Sequence, residues 1–129
     1  MSEIGYVEVP GYPAAHSPYS HAVVANGFVF VSGQIALKPD GAPGEIVGDT
    51  MAEQTRQCLR NVEMVLQAAG SALERLVKVT VLITRPEQFG EMNGAYAEFF
   101  PGLKAARAVA RLGPEIPGVL VSIEAVALA

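Results

Sequence analysis

The fold is decided by residues 22–34, Ala22-Val23-Val24-Ala25-Asn26-Gly27-Phe28-Val29-Phe30-Val31-Ser32-Gly33-Gln34. Two apolar runs, rich in β-branched and aromatic side chains, flank Asn26-Gly27. A two-residue type I′ turn needs positive φ at both central positions, and Asn-Gly adopts that geometry at low steric cost. The stretch therefore predicts a β-hairpin whose second strand closes with Ser32-Gly33-Gln34. Upstream, residues 4–9 read as a strand ended by Pro10. Residues 11–20 carry two prolines and several small polar residues, and form a loop long enough to be functional.

Downstream, residues 39–48 are rich in Gly and Pro and read as a surface loop. From Asp49 the period changes. Thr50 and Glu53 fit a capping box. Met51, Cys58, Val62, Val65, Leu66 and Ala69 then recur at three- and four-residue spacing, which is the apolar stripe of one helix face. Gly70 is placed to terminate it. The spacing predicts a helix over 50–69. Leu76–Ile83 is a β-branched strand. Pro86 can sit in the first turn of a second helix, over 86–100, stopped by Pro101-Gly102. Residues 106–112 form a short, alanine-rich strand. Residues 119–128 form a last one, with Val119, Val121, Ile123, Ala125 and Ala127 on one face. Leu120, Ser122, Glu124, Val126 and Leu128 lie on the other. Strands, helix, strand, helix, strands is the order of an α+β domain, with a sheet covered by helices on one face. The length suits a single domain over 1–129.

Composition narrows the function. Half of the 129 residues are hydrophobic and 17% are charged, with a net charge of -4. That excludes intrinsic disorder. It also argues against general nucleic-acid binding, which wants a basic stripe. No run of about 18 apolar residues is present to span a membrane as a helix. The single cysteine, Cys58, excludes an intramolecular disulfide and a cysteine-based metal site, and fits a reducing cytoplasm. The first nine residues lack the charged and apolar segments of a signal peptide. A chain so short and apolar has hydrophobic surface to spare, so self-association is expected.

No P-loop, dinucleotide fingerprint or nucleophile elbow occurs. His16 and His21 lie five apart without further ligands, so no metal site is predicted. Glu124 stands in an otherwise apolar strand. It is either a partly buried carboxyl, whose burial would raise its pKa toward values useful for proton transfer, or an outward-facing residue. Its same-face neighbours Leu120, Val126 and Leu128 favour burial. Arg107 and Arg111 share a strand face. They are either surface residues or a means of holding a carboxylate. Ser32 either holds a water or ligand or caps the backbone. Tyr19 and Asn93 are open in the same way. Cys58 reads as core.

Together these segments resemble the Rid family, the reactive-intermediate imine/enamine deaminases also called YjgF proteins. The resemblance is carried by Ser17-Pro18-Tyr19, by Phe28 through Ile35, and by Gln54-Thr55-Arg56-Gln57 with Asn61-Val62. It continues through Val77-Lys78-Val79-Thr80-Val81 and Met92-Asn93-Gly94-Ala95-Tyr96 with Phe99-Phe100. It ends with Ala106-Arg107 and Ile123-Glu124-Ala125-Val126-Ala127. The resemblance implies a chorismate-mutase-like fold with a mixed sheet and two helices, assembled as a homotrimer with clefts between subunits. It implies hydrolysis of 2-imino or enamine acids to 2-keto acids and ammonia without cofactor or metal. Arg107 would clamp the substrate carboxylate and Glu124 would activate water. Tyr19, Ser32, Asn93 and Val109 would line the cleft.

Three positions depart from the family pattern. Val109 stands where Cys or Ser is frequent, and Ala105 and Ala36 stand where proline is usual. They bear on substrate more than on fold. Alternatives are a deaminase of a catabolic intermediate such as aminomuconate or aminoacrylate, a non-catalytic small-molecule-binding member, or a ribonuclease-type member. The acidic charge argues against the last.

Overall fold

The computed structural model describes residues 3–12, 17–102 and 104–129. Six strands form one sheet: β1 (Gly5–Val7), β2 (Ala22–Ala25), β3 (Phe28–Gln34), β4 (Leu76–Ile83), β5 (Ala106–Arg111) and β6 (Val121–Leu128). Two helices complete the fold, α1 (Met51–Ala68) and α2 (Phe89–Ala97). The order across the sheet is β1-β2-β3-β6-β4-β5. Every pairing is antiparallel except β4 with β5, which are parallel and joined through α2. This is the expected α+β class with a mixed sheet.

The hairpin forms as predicted. Asn26 and Gly27 have φ of 53° and 83°, and Ala25 pairs with Phe28. The α1 termini also follow the sequence. Thr50 accepts from the Glu53 N–H at 3.1 Å, and Glu53 accepts from the Thr50 N–H at 3.1 Å. Gly70 takes φ 82°, its N–H donates to Gln67 O, and the Ser71 N–H donates to Leu66 O. These two bonds are the Schellman pair that satisfies the last helical carbonyls.

The second helix differs from expectation. Residues 86–88 form a single 3-10 turn, and α2 stops at Ala97 rather than running to residue 100. The β1 strand and the last strand are also shorter than predicted, because pairing partners end before the apolar runs do.

The core lies between the helices and one sheet face. Val29, Val31, Val79, Val81, Ile123, Ala125 and Ala127 from the sheet meet Met51, Cys58, Leu59, Val62, Val65 and Leu66 of α1 and Met92 of α2. Four polar residues of α1, Gln54, Thr55, Gln57 and Asn61, are buried with them. The Gln54 side chain donates to Gly48 O and Gly118 O and accepts from the Leu120 N–H. Asn61 donates to Ile35 O and Leu37 O, and Gln57 donates to Asn61. Gln54 and Asn61 tie loops to the helix by satisfying backbone groups that would otherwise be buried unpaired, and Gln57 holds the Asn61 amide in place. Glu91 of α2 accepts from the Ala52 N–H at 2.9 Å, so the second helix caps the first.

The opposite sheet face is uncovered. Tyr6, Phe28, Phe30 and Leu128 are exposed on it by 71, 36, 46 and 41%. Register places them together: Tyr6 faces Val23, which faces Phe30, and Phe28 faces Leu128. Phe28 and Phe30 lie with ring centroids 6.2 Å apart.

Candidate active site

The β4–α2–β5 crossover builds the first half of the site. β5 is an edge strand, and its alternation turns Arg107 and Val109 toward α2. Asn93 and Tyr96, three apart on α2, occupy one helix face. Arg107 Nη1 donates to Asn93 Oδ1 at 2.8 Å. The guanidinium carbon lies 4.7 Å from the Tyr96 ring centroid and 5.9 Å from that of Phe89. Neutral partners and aromatic faces orient the cation without cancelling its charge. Burial pushes the Tyr96 hydroxyl above the ordinary phenol range, with Arg107 pulling in the opposite direction. A cavity of about 310 Å³ opens here, walled by Asn93, Tyr96, Ala97, Phe100, Lys104, Ala105 and Arg107.

Glu124 belongs elsewhere. It pairs with Thr80 in the β4–β6 register and faces the uncovered side of the sheet. It lines a shallow depression of about 200 Å³ with Phe30, Lys78 and Thr80. Lys78 Nζ donates to Thr80 Oγ1 at 3.1 Å. Of the two readings of Glu124, the outward-facing one holds within one chain and the partly buried one does not: the residue is exposed. Of its same-face apolar neighbours, Leu120 is buried but Val126 is only half-buried and Leu128 exposed, so they do not enclose the Glu124 carboxylate.

Ser32 and Gly33 stand opposite Glu124. The β3–β6 register runs from Val31 with Ala125 to Gln34 with Ile123, so two residues of β3 face one of β6. This is a bulge, which re-aims side chains. Ser32 Oγ donates to Ser20 O at 2.6 Å, so its hydroxyl fixes the segment carrying Tyr19. Tyr19 is exposed by 52%. His21 is buried, with Nδ1 accepting from the Val9 N–H at 3.0 Å and lying 3.3 Å from Glu8. The Tyr12 ring stands edge-on to it, and the Tyr12 hydroxyl donates to Gln34. His16 lies outside the described residues.

The structure thus brings together Arg107 and Asn93, with Val109 on the same strand face. It places Ser32 opposite Glu124 across β3 and β6. It does not bring Arg107 and Glu124 together: they sit on opposite sheet faces, on strands separated by β4. Arg111 follows Arg107 on its strand but does not line the cavity. Sequence reasoning missed Tyr96, Phe89 and Lys104 as neighbours of Arg107. The three-residue spacing of Asn93 and Tyr96 was the available signal.

The Endoribonuclease L-PSP family matches residues 11–129. The chain belongs to the Rid (YjgF/RutC) family. A RutC family protein of Pyrococcus horikoshii is 39% identical over 98% of both chains. The mouse 2-iminobutanoate/2-iminopropanoate deaminase is 37% identical over 90% of this chain and 84% of its own. Among solved Rid-like structures, YyfA of Yersinia pestis, described as a Rid family protein of unknown function, superposes with a TM-score of 0.89. It is 35% identical, with 98 and 100% of the two chains covered. TdcF of E. coli with bound serine gives a TM-score of 0.86 at 31% identity, covering 97 and 98%.

Proposed function

We propose that this Rid protein is a cofactor-independent hydrolase of 2-imino and enamine acids, releasing 2-keto acid and ammonia. The observation that carries the reading is the oriented, uncancelled guanidinium of Arg107 at the wall of a small cavity. An α-imino acid presents a carboxylate beside an electrophilic C=N carbon, and a fixed arginine holds such a carboxylate bidentately.

The reaction is water addition followed by loss of ammonia. Glu124 takes a proton from water as the water oxygen bonds to the carbon of the protonated imine, giving a neutral carbinolamine. The same carboxyl gives that proton to the amine nitrogen; as the C–N bond breaks and the carbonyl forms, the carboxylate takes the hydroxyl proton and passes it to the departing ammonia. Tyr19, Ser32, Asn93 and Val109 shape the cleft.

Arg107 and Glu124 cannot serve one substrate from within one chain. We therefore assign the site to the seam between copies in a homotrimer, with the arginine of one subunit meeting the glutamate of the next. The uncovered face carrying Tyr6, Phe28 and Phe30 supports this, because burying it would offset apolar exposure and remove Glu124 from bulk water. Family likeness to the mouse deaminase supports the reaction class.

The test is keto-acid release from 2-iminopropanoate generated by an amino-acid oxidase. Wild type accelerates it and Arg107→Ala does not. Equal rates for the two would sink the carboxylate-clamp reading.

A further inference from the structure

The Arg107 cavity contains a second cation that the reaction does not require. Lys104 lines the same wall, three residues before Arg107. No carboxylate among the described residues lines this cavity. Among the described residues, neither Lys104 nor Arg107 forms an ion pair. Glu74 accompanies Lys104 in an adjoining cavity of about 350 Å³ without pairing with it. In a chain with 9 basic against 13 acidic residues, two cations lining one small space without an ion-pair partner make it a local site of positive charge. A monocarboxylate cancels one of them; a dianion cancels both.

Ala97, Phe100 and Ala105 give the same cavity apolar lining, and Asn93 and Tyr96 stand beside Arg107. A ligand complementary to this lining has a carboxylate, a short methylene stretch and a second acidic group.

We propose that the cavity selects dicarboxylic imino acids, with Lys104 as the residue that reads the second carboxylate. The proposal rests on the Arg107 clamp argued above and names the substrate class for that site. Lys104 makes no step of the hydrolysis; it changes which imine is held. Its exposure keeps the ammonium solvated when the cavity is empty.

The experiment compares imines matched in length, generated in place from L-aspartate against L-2-aminobutyrate and from L-glutamate against L-norvaline. Wild type is expected to show kcat/KM about tenfold higher for the dicarboxylic member of each pair, the effect of one charge-assisted contact. Lys104→Gln should remove that preference through KM, lowering kcat/KM for the dicarboxylic imines about tenfold more than for the monocarboxylic ones, and Lys104→Arg should retain it. A wild-type preference for the monocarboxylic imines, or an equal loss on both in Lys104→Gln, overturns the proposal. Calorimetry with 2-oxoglutarate and 2-oxopentanoate separates it from the deaminase reading. If no imine is hydrolysed, that reading fails. Tighter 2-oxoglutarate binding that Lys104→Gln abolishes still supports the dianion cavity, and equal binding of the two acids overturns it.

Discussion

Arg107 and Glu124 project from opposite faces of one sheet, on β5 and β6, with β4 between them. Two strand spacings of about 4.8 Å separate their backbones, and the sheet itself stands between their side chains. A substrate held by one cannot reach the other inside a single chain, so the proposed chemistry needs two copies.

Mixing inactive variants tests that division. Arg107→Ala and Glu124→Gln should each be inactive alone. Unfolded together and refolded as mixed oligomers, they should recover about one quarter of the wild-type rate, since each site draws its two residues from independently chosen neighbours. No recovery in verified mixed oligomers would place both residues in one subunit's site.

Glu124→Gln alone should lower kcat by about 10²–10⁴, the usual contribution of a positioned acid–base group, with a small change in KM. Its melting temperature should stay within a few degrees of wild type, because an exposed residue is being replaced by one of similar shape. Steady-state kinetics beside a thermal melt reads both.

Phe30→Glu places a charge in the middle of the uncovered face. Sedimentation should show the wild type as a trimer and the variant as a smaller species with unchanged far-ultraviolet dichroism. A variant that stays trimeric would move the subunit contact to another surface.

Gln54→Leu should destabilise by about 3 kcal/mol, because it leaves the buried Leu120 N–H and two carbonyls without their partner. Urea titration should show a lower midpoint at unchanged slope.

Stability should fall in acid. The Thr50 hydroxyl and the backbone N–H groups of Asp49 and Thr50 hold the Glu53 carboxyl below the ordinary glutamate range. The Arg56 guanidinium does the same for Glu98. A carboxyl whose folded pKa is depressed contributes fully above its unfolded pKa. That contribution disappears as the pH falls through the folded value. Melting temperature against pH should therefore drop below the normal glutamate range, and Glu53→Gln should have a shallower acid limb.

Local chemistry was readable from the sequence wherever neighbours along the chain determine it. Asn26-Gly27 specified the hairpin, Thr50 with Glu53 opened α1, and Gly70 closed it. The period of two in the last strand separated Ile123 and Ala125 from Glu124 correctly. What alternation could not say was which side is covered, because that depends on where distant segments insert. β6 enters between β3 and β4, and only that placement shows that Glu124 and Leu128 are exposed while Leu120 and Ser122, on the same face by alternation, are buried. The same holds for Gln54 and Asn61, whose burial depends on loops far along the chain that no helical periodicity reports. The length of α2 was overestimated because the aromatic run after Ala97 continues an apolar pattern after the helix has ended.

The crossover from β4 through α2 to β5 has a consequence for divergence within such a lineage. Residues 93–107 supply the whole wall of the arginine cavity, while the sheet's remaining strands and α1 supply most of the core. Substitutions at Ala97, Lys104 or Ala105 alter what enters that cavity without disturbing α1 or the Glu124 face. Selection can therefore retune ligand choice by drift at a few crossover positions, while Glu124, the Arg107 it is proposed to work with, and the scaffold are inherited unchanged.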